Sequence, residues 1–539
     1  MRITELKLPL DHSEADLRRA IVRRLDIDAS DLIGWTVFRR NHDARNKNAI
    51  AFAYTLDVEL KDETASLARL AGDRQVGPTP DMDYRFVARA PAATRELRPV
   101  VIGTGPCGLF AGLLLAQMGF RPLILERGKS VRERTRDTWG LWRGGRLNPE
   151  SNVQFGEGGA GTFSDGKLYS QVKDPGYRAR KVLTEFVKAG APAEILYVGK
   201  PHIGTFRLVA MVEAMRAEIV ALGGEICFDA RVDELTIRNG AVTGLALADG
   251  RRMDASRVIL AIGHSARDTF AMLHRAGVQM EAKPFSIGVR IEHPQSLIDR
   301  ARFGKFAGHP LLGAADYKLV HHCTGGRTVY SFCMCPGGTV VAATSEAGCV
   351  VTNGMSQYSR NERNANSALV VDVTPGDFPG GGTHPLSGIE FQRHWEGLAF
   401  EAGGRDYDAP AQRVGDFLAG RPSEDLGPVL PSYTPGVRPA DLATCLPEYV
   451  VAALREALPA FGRQIRGFDM DDAILTGVET RTSSPLRIPR GPDCRSVNTR
   501  GLYPAGEGAG YAGGILSAAI DGIRVAEAVA LDLVASGQA

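Results

Sequence analysis

The sequence predicts an α/β fold: a parallel-sheet domain interrupted by an inserted α+β block and preceded by a small α+β unit. Three observations predict it. From residue 99 a short apolar strand runs through a glycine-rich turn into a helix and then a second strand. Residues 284–470 turn Gly- and Pro-rich, with short strand patterns. Residues 1–90 carry strand and helix patterns of their own. A chain of 539 residues is long enough for several cores of this kind.

Composition narrows the class. Hydrophobic residues make up 44% and charged residues 23%, which excludes a disordered chain. With 64 Lys+Arg against 62 Asp+Glu, the net charge of +2 gives no whole-molecule pull toward nucleic acid or membrane. The N-terminus lacks a signal-peptide core, and no window approaches the roughly 18 apolar residues of a membrane span. The expectation is a cytoplasmic chain with no membrane partner. In a reducing compartment the eight cysteines are expected as free thiols. Cys333-Met-Cys335 has no second pair and no His cluster at zinc spacing, so it reads as two core thiols on one strand, with no metal.

In chain order, residues 3–8 alternate as a strand. Ser13 follows as a helix N-cap with Asp16 as its capping-box partner, and Leu17, Ile21 and Leu25 form one apolar face. Strands are expected at 34–38 and 49–60, with the basic segment 39–47 between them as a solvated turn. Residues 90–98 read as a linker. Four segments result: 1–90, an N-terminal α+β domain; 99–283, the first part of the parallel-sheet domain; 284–470, the insertion; and 471–539, the return to the first domain. Trp139 and Trp142 lie in a helical stretch and are expected in the core.

The glycine-rich turn carries the chemistry. Gly103, Gly105 and Gly108 form G-x-G-x-x-G between the strand 99–102 and the helix 108–118. The first glycine permits the tight turn, the second lets the backbone approach a pyrophosphate, and the third lets helix and strand pack closely. Pro106 and Cys107 lie within the loop, and the helix N-terminus offers N–H groups and partial positive charge. The strand 122–125 ends at Glu126, 23 residues after Gly103, where a carboxylate can accept from a ribose hydroxyl. That acid argues against a 2′-phosphate, and Arg127 follows it. The same spacing recurs at Gly156/Gly158/Gly161 and Gly508/Gly510/Gly513, but neither has the strand–helix–strand context. The unit is thus a Rossmann-like dinucleotide site, and a single one.

Three further segments resemble motifs of two-domain FAD-binding flavoproteins, and the resemblance implies FAD. Residues 257–263 read as a strand ending at Gly263. Residues 501–515 carry Gly506-Glu507 and then Gly513-Gly514-Ile515, where a helix begins; its positive end, aimed at a flavin, would stabilise the reduced anion. Residues 152–168, with Gly159 and Thr162, have the glycine density of a loop along a cofactor.

These motifs, at 101–126, 155–168, 285–292, 480–488 and 502–515, resemble the bacterial family of uncharacterised FAD-dependent dehydrogenases with a glutathione-reductase-like FAD fold. The resemblance spans nearly the whole chain. It implies a Rossmann-like FAD-binding domain with an inserted substrate domain, and Val232 among the cofactor-contacting residues. It implies a cofactor more than a reaction. The disulfide reductases of that fold carry a cysteine pair soon after the first motif. Here no Cys lies between Cys107 and Cys227, which excludes that arrangement. No second complete dinucleotide unit is visible between 264 and 500, so NAD(P)H would serve only as a transient electron donor over the flavin.

On the substrate side, Arg481 is an anion or flavin contact, or else a surface ion pair, with Ser483 and Ser484 in the same loop. Lys200 and His202 are proton-donor candidates ahead of Thr205, the expected N-cap of a helix 206–222. His264 is a cofactor-contact candidate. Of His321 and His322, at most one can line a pocket, because neighbours on a strand face opposite ways. The expectation is a FAD-dependent oxidoreductase whose small-molecule substrate enters between the FAD domain and the 284–470 block. Two alternatives stay open: an RNA-modifying flavoprotein gripping phosphates through 39–47, and a non-enzymatic, redox-responsive FAD protein. Oligomeric state is not legible.

Overall fold

The computed structural model describes residues 1–91 and 98–537. Most of the expected linker 90–98 therefore lies outside the described residues, as does the end of 471–539.

The N-terminal unit is a sheet ordered Leu32–Asp43, Ala51–Leu60, Arg2–Pro9 and Val76–Gly77. Helix Glu14–Leu25 covers it, starting at the Ser13–Asp16 capping box and burying Leu17, Ile21 and Leu25. The second strand runs on to Asp43 and absorbs half of the basic segment expected as a turn. A partner far along the chain explains this: Arg40 N donates to Tyr197 O at 2.7 Å, and Gly199 N to Arg40 O at 3.0 Å. The Arg40 guanidinium lies over the Phe52 and Tyr197 rings, and Arg45 pairs with Asp43.

The next domain is built on a five-stranded parallel sheet ordered Leu502–Pro504, Val258–Leu260, Val100–Ile102, Leu123–Leu125 and Glu225–Cys227. Sequence-distant strands meet at its centre, so the C-terminal segment does return to the first domain. Helices Pro106–Gln117 and Ile515–Ala535 touch where Gly522 meets Cys107; a side chain there would lie 2.2 Å from Cys107 O. An antiparallel three-stranded sheet that includes Val232–Arg238 adjoins this domain.

The insertion is a seven-stranded sheet, ordered Val320–His322, Thr328–Cys335, Asn364–Val373, Phe285–Pro294, Ile474–Glu479, Ala409–Arg413 and Val437–Pro439. It corrects two expectations. Its strands are not all short: Phe285–Pro294 and Asn364–Val373 each span ten residues. Polar Asn364 and Asn366 are buried at the start of the latter, bonded to Glu292 and Arg290. The boundary also moves beyond 470, because Ile474–Glu479 is an inner strand of this sheet. A ribbon of Glu281–Ala282 against Leu486–Arg487 joins the insertion to the parallel sheet. The largest apolar cluster runs from Met1 and Ile3 through Phe285 and Val289 to Phe461, so the N-terminal unit and the inserted sheet share one core.

Two local expectations also change. Gly204 is the cap of helix Thr205–Ala221, and Thr205 is its first residue; its hydroxyl donates to Ser164 O at 2.9 Å. Trp142 is buried and donates to Ala342 O, but Trp139 is 38% exposed. They lie three residues apart on helix Val131–Gly144, about 60° apart round its axis, with Trp142 in the buried stripe and Trp139 at its edge.

Candidate functional site

The loop after strand Val100–Ile102 is held by its neighbours on both sides. Gly103 N donates to Leu125 O at 2.8 Å, and Ala261 N to Ile102 O at 2.9 Å. Gly103 sits at φ +102°, and a Cβ there would lie 2.4 Å from Ala261 O. At Gly108 a Cβ would meet Gly103 O at 1.9 Å. Only glycine fits either position, which is the close helix–strand packing the spacing predicted. Helix Pro106–Gln117 starts at Gly105 with no side-chain cap. Its first N–H groups are thereby left for an anion.

Three other loops close on this one. Gly158 N donates to Thr104 O, and a side chain at Gly159 would meet Gly105 Cα at 2.7 Å. A side chain at Gly161 would meet Ile515 Cγ1 at 2.9 Å. Gly506 backs onto Cys107, and Gly508 onto Gly263 O. Gly513, Gly514 and Ile515 open helix Ile515–Ala535, again without a side-chain cap. Two uncapped helix starts and four glycine-lined loops thus converge on one cradle. Thr162 is buried in it and donates to Glu157 O. Cys107 is buried, and its thiol is pushed well up by that burial. This set fits an extended dinucleotide with a pyrophosphate, because space is cleared along the backbone and the available donors are N–H groups.

The Glu126 carboxylate also bonds the loops on either side of it. One of its oxygens accepts from Thr104 N (2.9 Å) and Thr104 Oγ1 (2.6 Å), the other from Gly128 N (2.9 Å) and Gly156 N (3.0 Å). All four acceptor positions of the carboxylate are filled. It ties the phosphate loop to the 152–168 loop, and a ribose hydroxyl would have to displace the Thr104 hydroxyl to reach it. Arg127 stacks over Phe155 and pairs with Glu150 and Asp268. Val232 is buried and pairs with Leu247 in a strand ladder.

Sequence reasoning missed the residues that hold the 152–168 loop. Arg134 is fully buried and donates to the carbonyls of Asn152, Val153, Gly156 and Glu157. Burial draws its guanidinium down to about 10, partly offset by Glu126 and Glu157. Asp521 likewise holds Gly506, accepting from its N–H at 2.7 Å while pairing with Arg490. The signal for Arg134 was present: it falls on the stripe Val131, Arg134, Thr138, Leu141 that the helix buries.

On the substrate side, a cavity of about 420 Å³ opens between the parallel-sheet domain and the insertion, lined by residues including Arg127, Phe155, Ser265, Ser345, Glu346 and Arg393. Arg481 stands behind it and donates to Ser265 (3.1 Å) and Ser345 (2.7 Å). It is not a surface ion pair. It shares the fully buried Glu396 with Arg267, each guanidinium bonding both carboxylate oxygens. Burial alone would raise the Glu396 carboxyl, but the two arginines hold it well below its ordinary range. His264 bonds Ser265, and burial with Arg481 and Arg267 nearby drives it down to about 3, so it stays neutral. Ser484 donates to Gly508 O, and Ser483 accepts from Lys283. Glu507 is half-buried and pushed up to about 8 by burial, with Lys283 opposing.

The other candidates sit elsewhere. Lys200 is exposed and paired with Asp316, which takes it out of the cavity. His202 stacks on Tyr358 and bonds its carbonyl, and burial lowers it, a poor setting for an acid. His321 pairs with Glu456 and His322 with Thr328, so neither lines the cavity. Local sequence placed these polar side chains near glycine loops, but tertiary neighbours had already claimed them.

Fold and site together define a FAD-dependent flavoprotein class: residues 284–482 match the family described as "FAD-dependent protein, C-terminal domain-like". Residues 1–59 match a domain of unknown function. The chain is 49% identical to an uncharacterized protein of Clostridium beijerinckii over 98% of both chains, and it belongs to that protein's family. It is also 28% identical to Protein FixC of Escherichia coli, over 37% of this chain and 44% of FixC. Among solved structures, the halogenase PltM in complex with phloroglucinol and FAD aligns over 82% of this chain and 71% of its own, at 12% identity and a TM-score of 0.38. That likeness is too distant to bear on the chemistry. Among the described residues no helix is long and apolar enough to cross a membrane.

Proposed function

We propose that the chain is a FAD-dependent oxidoreductase that exchanges a hydride with a small organic substrate held between the parallel-sheet domain and the inserted sheet. The carrying observation is the meeting of Gly105 with Gly159 and of Gly161 with Ile515, which places two uncapped helix starts along one groove. When bound, FAD supplies the two-electron chemistry. The chain's own residues supply the rest. The N-termini at Pro106 and Ile515 neutralise negative charge on the pyrophosphate and on the ring. Arg134 and Asp521 fix the loops that touch it. The Arg267–Glu396–Arg481 network sets Ser265 and Ser345 as rigid hydroxyls on the cavity wall, ready to orient a polar group of the substrate. The cavity is within the usual size of a small-molecule site. With no second dinucleotide unit evident in the sequence, NAD(P)H would act only as a transient donor.

The test is a visible spectrum of the purified protein followed by anaerobic titration with NADH, NADPH and dithionite. Flavin bands that bleach with a nucleotide support a reductase. Bands that bleach only with dithionite support a dehydrogenase reduced by its own substrate. A protein that holds no flavin after reconstitution overturns the reading.

A further inference from the structure

Cys333 and Cys335 do not lie on a regular stretch of strand. On a regular strand, residues i and i+2 share a face but stand more than 6 Å apart, because the rise is about 3.3 Å per residue. A disulfide needs Cβ atoms about 4 Å apart. Here strand Thr328–Cys335 shifts register between Phe332 and Cys335, and Cys333 lies at φ +45°. A side-chain-bearing residue rarely adopts that conformation, and it tends to persist where the surroundings impose it, often at functional sites. Across that kink the Cys335 side chain turns back on its neighbour, and its thiol donates to Cys333 O at 3.3 Å.

The surroundings are cationic. Lys167 Nζ is 3.9 Å from Cys335 Sγ, and Arg290 Nη2 is 3.8 Å from it. Arg290 is fully buried, with Asn366 and the Cys333 carbonyl as its other partners. The remaining charged groups are Asp165, which pairs with Lys167 and Arg360, and Glu479, which faces Arg290. The neighbouring Cys335 thiol, with Lys167 and Arg290, draws the Cys333 thiol below its ordinary range against the effect of burial, while Cys335 is driven up. Glu479 is raised to about 7 by burial, with Arg290 opposing, so near neutral pH it is only partly ionised and offsets the cations in part. Lys167 belongs to the 152–168 loop, six residues beyond Gly161 and its contact with Ile515. The thiol pair is thus held by the loop that runs along the cofactor cradle.

We infer that Cys333 and Cys335 are a redox-active dithiol, a second two-electron centre beside the flavin site. On oxidation the Cys333 thiolate and the Cys335 thiol join in one S–S bond. The Cys335 S–H bond breaks, and its proton leaves with two electrons to an oxidised flavin. Charge and hydrogen balance: a thiolate, a thiol and FAD give a disulfide and the flavin hydroquinone anion. In the reverse direction a disulfide is reduced to the thiolate–thiol pair. The inference rests on the flavoprotein reading above for its electron partner.

The test uses the full-length protein reconstituted with FAD and equilibrated anaerobically across a series of oxidised and reduced dithiothreitol mixtures. Samples are quenched with N-ethylmaleimide and peptide-mapped by mass spectrometry. The expected result is one two-electron transition in which the peptide carrying Cys333 and Cys335 passes from two adducts to none, with a loss of two hydrogens. Cys335→Ser should abolish that transition while flavin content and melting temperature hold. In native protein at pH 7, Lys167→Gln should slow iodoacetamide alkylation of Cys333 by about tenfold or more, since the thiolate is the nucleophile. Two alkylatable thiols at every potential, in protein carrying its full flavin, would overturn the dithiol and leave the flavoprotein reading standing. Protein without flavin that still shows the transition would leave the dithiol standing and remove its proposed electron partner.

Discussion

Replacing Glu396 with Gln should be among the most damaging single changes at the cavity wall. Glu396 is fully buried and neutralises both Arg267 and Arg481. Arg267 keeps Glu346 as a second partner, whereas among the described residues Arg481 has no other carboxylate. Glutamine preserves shape and some hydrogen bonding but leaves two buried guanidiniums facing each other with one fewer negative charge. Removing one partner of a buried ion pair costs about 3–5 kcal/mol. Even the lower figure lowers a domain's melting temperature by roughly 6–12 °C. Glu346→Gln is the internal comparison: Glu346 is partly exposed and pairs with Arg267 and Arg393, so its loss should cost about 1 kcal/mol or less. The assay is differential scanning calorimetry of both variants at pH 7 and pH 4. The Glu396 carboxyl lies below its ordinary value of 4.5 when folded. Its stabilisation is therefore present above that pH and is lost as pH falls toward the folded value. The gap between wild type and Glu396→Gln should narrow in acid. Equal melting temperatures for Glu396→Gln and Glu346→Gln at pH 7 would refute the reasoning that burial makes this carboxylate indispensable.

Gly159→Ala should fold, yet lose most of its FAD affinity, because the new methyl would lie 2.7 Å from Gly105 Cα at φ +62°; equilibrium dialysis against FAD measures this. Glu507 is raised above its ordinary value when folded, so its contribution to apoprotein stability is present at low pH and is lost as pH rises through about 8. Glu507→Gln should flatten the pH dependence of apoprotein melting between pH 5 and 9, and an unchanged profile would count against the assignment. Lys200→Ala removes an exposed ion pair with Asp316 and should change stability by less than about 1 kcal/mol, with flavin content unaltered.

The parallel-sheet domain was legible because its signals are local. Gly108 is forced by Gly103 five residues before it, Gly103 also stands at positive φ, and Ser13 with Asp16 marks a helix start within four residues. Glu126 was found by its spacing, but its part in tying the loops together was not. Its four protein donors come from Thr104, Gly128 and Gly156, which only the folded loops bring together. The inserted sheet was harder to read. Its ten-residue strands are polar at some buried positions, since Arg290, Glu292, Asn364 and Asn366 satisfy one another across strands. A pattern rule that expects apolar residues at buried sites reads such stretches as loops. Arg134 and Glu396 show the converse: each interrupts the apolar stripe of a helix, and a charge on that stripe signals a buried partner.

The most direct test of the central claim is the stoichiometry of FAD on the apoprotein, measured by isothermal titration alongside the Gly108→Ala variant. The account predicts one FAD per chain for the native sequence. For the variant, whose added Cβ would lie 1.9 Å from Gly103 O, it predicts loss of binding. No binding by the native chain, or undiminished binding by Gly108→Ala, would contradict a dinucleotide site at this loop.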